Sequence, residues 1–252
     1  MSEELTKTQQ KRLAKRERIK AKYAQKKLEQ KKPRTQDEEE YKVWGQRQER
    51  NAMMRCDFES NCDRGPMVII DCEWDEDMMT EKECLSLTQQ IMYSYAANKR
   101  SRRPARLCVY GASQKQIELL QKLPGFDTWY MGLTDASIAQ KNNDVVERGV
   151  YLTADTENVL QAQNMGPTDV LVIGGIVDRN RHKNATVLKA EKMGMRTAQL
   201  PIGDLMKMKT SKVLAVNHVF EILTQYLDHG DWVKALRHVI PDRKKLDDEE
   251  LD

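Results

Sequence analysis

From residue 66 onward the chain alternates short apolar runs with longer stretches whose apolar positions recur at helical spacing. The runs at 67–71, 106–110, 129–131, 150–153, 197–202 and the one opening at Val170 predict six strands. Between and after them, 80–99, 113–122, 134–148, 158–163, 184–193, 211–227 and 232–239 predict helices, with Val213, Leu214, Val216, Val219, Phe220, Ile222 and Leu223 as one apolar surface. Strands alternating with helices over 66–240 predict an α/β domain with a largely parallel sheet. Upstream the pattern changes. Residues 1–32 contain neither Gly nor Pro and favour helix, yet Leu13, Ile19, Tyr23 and Leu28 are too sparse for a packing stripe. Fully helical, that piece would reach about 45 Å. Pro33 interrupts it, and 37–54 predicts a second polar helix carrying Trp44.

Charge sharpens this picture through its distribution. The 252-residue chain has a formal net charge of only +3, but Lys and Arg crowd residues 7–34, whereas 247–252 is acidic. Residues 1–65 are therefore expected to form a basic, partly flexible helical extension that contacts phosphate, and 241–252 a flexible acidic tail. Lys99, Arg100, Arg102 and Arg103 make a second cationic group at a predicted helix end. Five cysteines without CxxC spacing and four scattered histidines give no metal or disulfide framework, so an intracellular, reduced protein without a structural metal is expected. No apolar run approaches the roughly 20 residues a bilayer crossing needs.

Candidate chemistry gathers at strand ends. The segment VLVIGGIVDRNRHK, residues 170–183, ends an apolar run in Gly174-Gly175 and then presents Asp178 beside Arg179, Arg181 and His182. The residues alone leave two readings open: a ligand site at a strand's carboxyl end, or a solvated turn. Asp71, Glu73, Asp75 and Glu76 follow another strand, where a solvated turn and helix cap are favoured over a metal cluster. Asp155-Thr156-Glu157 suits capping of a 158–163 helix better than ribose binding. The glycine fingerprint of dinucleotide sites and the phosphate-loop motif are both missing, which weighs against a dehydrogenase or an ATPase.

Three separated segments carry a more specific signal. YLTADTENVL (151–160), LVIGGIVDRNRHK (171–183) and TAQLPIGDLMKMKTSKVLAVNHVFEILTQYL (197–227), with VIIDCEWDEDM (68–78), resemble in order the eukaryotic and archaeal family that methylates N1 of the purine at tRNA position 9. The resemblance covers roughly 45–241. It implies the SPOUT methyltransferase fold with a C-terminal trefoil knot, S-adenosylmethionine as cofactor, tRNA as substrate, and a monomer without an obligatory protein partner in nucleus and cytoplasm. It also implies guanosine as the target, with adenosine, dual activity or a non-enzymatic RNA-binding module as alternatives. On this resemblance Asp178 is the proton acceptor. Leu152, Thr153, Gly174, Asp178, Arg179, Asn180, Arg181, His182, Thr186, Leu200, Lys212, Val213 and Leu214 are the cofactor-binding residues.

Overall fold

The structure, a computed structural model, describes residues 38–141, 143–179, 181–206 and 213–240. Its contacts divide the chain between Cys56 and Asp57. The first helix, α1 (Glu38–Arg64), runs ten residues beyond the expected end at 54. Its last turns are packed: the Phe58 ring stands edge-on to Tyr95 at 6.2 Å, and Cys62 is 1% exposed beside the buried Asn98.

The order continues β1 (Met67–Asp71), α2 (Glu81–Arg100), β2 (Arg106–Tyr110), α3 (Gln114–Gln121), β3 (Gly132–Leu133), α4 (Ile138–Lys141), α5 (Asn143–Arg148) and β4 (Gly149–Leu152). Then come β5 (Val170–Gly174), α6 (Ala185–Met193), β6 (Arg196–Ala198), α7 (Ile202–Leu205), α8 (Val216–His229) and α9 (Trp232–Val239). The six strands form one parallel sheet in the order β3-β2-β1-β5-β4-β6. Helices cover both faces, which explains why the strands read as continuous apolar runs. Val68, Ile70, Leu171 and Ile173 point to the side of α2, α8 and α9, where Leu87, Phe220 and Leu236 are fully buried. Ile69, Tyr151 and Val172 point to the opposite side, against Ile138, Val145 and Ala190.

Further sequence expectations change in the fold. The aromatic run at 129–131 is not a strand; Trp129 stacks on Tyr95 at 4.4 Å, Tyr130 donates its N–H to the Tyr95 hydroxyl, and pairing with β2 begins only at Gly132. The 158–163 segment forms no α-helix, only the start of a short 3-10 turn at Ala162–Asn164. Its backbone is taken by the chain beyond β6: Leu160 N–H donates to Gln199 O at 2.8 Å, and Gln199 N–H donates to Asn158 O at 2.7 Å. The strand expected over 197–202 is confined to Arg196–Ala198, and Pro201 leads into α7. The helix expected over 211–227 begins at Val216, whose N–H donates to the Gln90 side chain at 2.9 Å; residues 213–215 stay outside it, and 207–212 lie outside the described residues.

The Gly174-Gly175 pair has two different jobs. A Cβ on Gly175 would lie 2.8 Å from Asp71 O, 2.9 Å from Cys72 Sγ and 3.0 Å from Ile70 Cγ2, so β1 itself forbids a side chain there. Replacing Gly175 by Ala is expected to destabilise the fold by about 1–3 kcal/mol, measured as a lowered urea midpoint. A Cβ on Gly174 would instead meet Thr186 Cγ2 at 2.7 Å, where α6 closes over the strand end.

Candidate active site

Parallel register brings the carboxyl ends of three strands level. Leu152 is opposite both Ile173 and Ala198, so the chain leaving β4, β5 and β6 emerges on one side of the sheet. A cavity opens there, as expected for the carboxyl edge of a parallel sheet. Leu152, Thr153 and Asp155 form its first wall; Gly174, Asp178, His182 and Thr186 the second; Leu200, Val213 and Leu214 the third. The first two walls are joined by a 2.8 Å hydrogen bond between the hydroxyls of Thr153 and Thr186. Thr153 Oγ1 also accepts from the Asp155 N–H at 3.2 Å, which fixes the turn carrying that carboxylate.

Nine of the thirteen sequence-derived residues thus meet at one cavity. Arg179 and Arg181 do not line it, and Asn180 and Lys212 lie outside the described residues. Arg179 is exposed with φ 52°, and Arg181 is turned away from the cavity toward α2. Sequence reasoning left out several lining residues, among them Asp155, Gln199, Ile202, Val216 and Val219. Asp155 was legible as a strand-exit acid, but the capping role expected for it disappears with the helix it would have capped. The apolar members carry no signal apart from that of core packing.

The described lining combines apolar groups with two carboxylates and one imidazole, and holds no Lys or Arg. Such a wall suits a ligand with apolar surface and positive charge. Asp178 Oδ2 accepts the His182 N–H at 2.8 Å, closing the turn that sets the carboxylate. His182 Nε2 is buried without a hydrogen-bond partner. A buried polar atom of this kind is normally satisfied, so its place on the cavity wall fits a polar ligand group reaching it.

Behind the second wall lies a buried ionic group. Asp71, 1% exposed, accepts from the Tyr151 hydroxyl at 2.9 Å and pairs with Lys189 at 2.7 Å. Lys189 also reaches Glu73 O and lies 4.5 Å from the centre of the Trp74 ring. Burial and the adjacent carboxylate push the Tyr151 phenol well above its usual range, so it remains a donor. The solvated turn expected after β1 is therefore corrected at Asp71: the Lys189 ammonium, brought from α6, offsets the cost of burying that carboxylate. Among the described residues no group of three or more His, Cys, Asp or Glu side chains is placed to hold a metal ion.

Arg181 instead grips Glu83 with both arms of its guanidinium, at 2.6 and 3.0 Å. That bond, with the N–H and hydroxyl of Thr80, lowers the Glu83 pKa from 4.5 to about 2. The contribution to stability, kept small because the Arg181 side of the pair is open to solvent, is complete above about pH 4.5 and is lost as pH falls toward 2. Melting temperature is accordingly expected to fall more steeply over that range in the wild type than in Glu83→Gln.

Over residues 3–245 the chain matches the family described as tRNA (guanine(9)-N(1))-methyltransferase TRM10/TRM10A. The chain belongs to this family. It is 40% identical over 186 residues to the tRNA (guanine(9)-N1)-methyltransferase of Eremothecium gossypii, covering 72% of this chain and 60% of that protein. With tRNA methyltransferase 10 homolog A of Homo sapiens it shares 36% identity over 182 residues, 70% of this chain and 51% of the relative. The chain thus spans less than two thirds of these relatives. Among solved structures, full-length spTrm10 in complex with SAH aligns with TM-score 0.65 at 33% identity, covering 71% of this chain and 95% of that one. A dual specific Trm10 from Thermococcus kodakaraensis aligns with TM-score 0.53 at 20% identity, covering 69% and 99%. The fold is the α/β architecture of the SPOUT methyltransferases, as the sequence resemblance implied.

Proposed function

We propose that this chain methylates N1 of guanosine at position 9 of tRNA, using S-adenosylmethionine. The observation that carries the reading is the convergence of three strand exits on one cavity with Asp178 on its wall, in a chain of this family. The apolar third wall and the two carboxylates suit a cofactor that joins an adenine ring to a cationic sulfonium. When bound, the cofactor supplies the methyl group that purine N1 accepts.

The chain's own residues then have distinct tasks. Leu152, Leu200, Val213 and Leu214 exclude water and pack the apolar part of the ligand, while the Thr153–Thr186 pair holds two walls at fixed separation. Alignment of the reacting atoms is the main gain from such a site. Asp178 takes the N1 proton. An ordinary Asp titrates about five pKa units below guanine N1, so complete transfer before attack would cost about 7 kcal/mol at about 1.4 kcal/mol per unit. Asp178 therefore accepts the proton as the new bond forms rather than beforehand. The target base leaves its stack to reach the cavity. Residues 1–65 act on this reading as the basic tRNA-binding extension, with Lys99, Arg100, Arg102 and Arg103 adding phosphate contacts. The reading also includes a C-terminal segment threaded as a trefoil knot and a monomeric protein acting in nucleus and cytoplasm.

Purified protein, unmodified tRNA with guanosine or adenosine at position 9, and methyl-labelled S-adenosylmethionine test the proposal. Labelled N1-methylguanosine from the guanosine transcript alone is expected. Methylated adenosine from the other transcript would overturn the base preference. RNA binding without any transfer would overturn the enzyme in favour of an RNA-binding module.

A further inference from the structure

We infer that Glu83 is a positioning residue, which through Arg181 holds the loop carrying Asp178 against the start of α2. The inference rests on the proposed role of Asp178 and extends it to a residue that does not line the cavity.

The described residues of the loop between β5 and α6 have little regular structure to hold them. The loop starts from Gly175, whose N–H donates to Asp71 O at 2.7 Å, and passes through Arg179 in a left-handed conformation at φ 52°. Within it, Arg181 N–H donates to Asp178 O at 3.2 Å and His182 N–H to Asp178 Oδ2 at 2.8 Å. These bonds shape the turn without anchoring it to the domain. The anchors come from the segment before α2 and the first turn of that helix. On one side of Asp178, the Val177 N–H points to Met79 Sδ at 3.3 Å. On the other, the Arg181 guanidinium spans both Glu83 oxygens, at 2.6 and 3.0 Å, and donates to Met78 O at 3.2 Å. The carboxylate is thus flanked before and after by contacts to residues 78–83.

Glu83 is itself preset for this task. Its carboxylate accepts from Thr80 N–H at 2.8 Å and Thr80 Oγ1 at 2.9 Å, while Thr80 Oγ1 accepts from Glu83 N–H at 3.4 Å, a closed capping box. The helix behind it is fixed by Leu87 and Ile91, both at 0% exposure. A bidentate fork onto an already oriented carboxylate defines direction as well as distance. The Arg181 side chain is 45% exposed, and ion pairs that open to solvent add little to global stability. Breaking this one should therefore be felt in the placement of Asp178 more than in the melting of the domain.

The experiment measures single-turnover methyl transfer to guanosine-9 tRNA at saturating S-adenosylmethionine for Glu83→Gln, Arg181→Lys and the double variant. The same substitutions are also made in an Asp178→Asn background, with SAH affinity and melting temperature recorded at neutral pH. Gln at position 83 retains an oxygen for the Thr80 cap, so the helix start persists. Each single variant is expected to lose up to about 100-fold in rate, the scale of a misplaced reacting group, with SAH affinity and melting temperature little changed. The double variant should be no slower than the slower single one, because one interaction is removed twice. In the Asp178→Asn background Glu83→Gln should cost nothing further. Full rates in both single variants, rate losses tracked by lost SAH affinity or melting temperature, or an undiminished Glu83→Gln effect without Asp178 would each overturn the inference. Asp178→Asn at the wild-type rate would remove the proposed base itself, whereas a fast Glu83→Gln beside a crippled Asp178→Asn sinks the positioning role alone.

Discussion

Asn in place of Asp178 is expected to slow single-turnover methyl transfer by about 10²–10⁴-fold, the range set by losing a positioned proton acceptor. The substitution is nearly isosteric, and its amide oxygen can still accept the His182 N–H that Asp178 Oδ2 accepts at 2.8 Å. The turn should therefore survive, and SAH affinity should stay close to that of the wild type. A large rate loss at constant affinity assigns the carboxylate to a step after binding. An unchanged rate in folded, cofactor-binding protein would take Asp178 out of the chemistry. Adenine N1 carries a lone pair instead of a proton, so any transfer to an adenosine-9 transcript should be less sensitive to the same change.

The second large effect concerns stability. Lys189→Met is expected to cost about 3–5 kcal/mol, because it strands the Asp71 carboxylate in the core. Asp71 is 1% exposed and the Lys189 side chain 15%, so water can replace the ammonium only poorly. The Tyr151 hydroxyl and the Glu73 N–H still donate to Asp71, which places the loss toward the lower end. Adding Asp71→Asn should recover part of it, since a neutral group is cheaper to leave buried. Urea denaturation of the two variants measures both values; a single-variant loss below about 1 kcal/mol would place the pair among ordinary surface ion pairs. The site would feel the change as well. Asp71 is in register with Gly174, and the Tyr151 hydroxyl sits 3.5 Å from where a Gly174 Cβ would be, so the second wall rests on this group.

Local pattern was a good guide wherever one element settles its own conformation. The runs at 67–71, 106–110 and 170–174 are strands with both faces buried, and α2, α6 and α9 follow their apolar spacing closely. It failed where a segment's partner comes from far along the chain. Leu160 looked helical because its neighbours suit a cap, yet its N–H is claimed by Gln199. Val213 and Leu214 carried the helix's apolar rhythm but became cavity wall, because the Gln90 side chain supplies the acceptor at which α8 begins.

For function, the order of residues along the chain fixed the family, the succession of strands and helices, and the strand exits at which chemistry belongs; periodicity of two or 3.6 residues and short motifs are local properties and can be read in one dimension. Which expected side chains turn away from the cavity, and which unexpected ones join it, was decided only in three dimensions. Arg181 carries its charge to Glu83, 98 residues away, and Asp71 meets Tyr151 at a separation of 80, while Asp155 is released from capping to stand on the first wall. A charged or capping residue has several acceptable local partners, and packing of the sheet against its helices selects one of them.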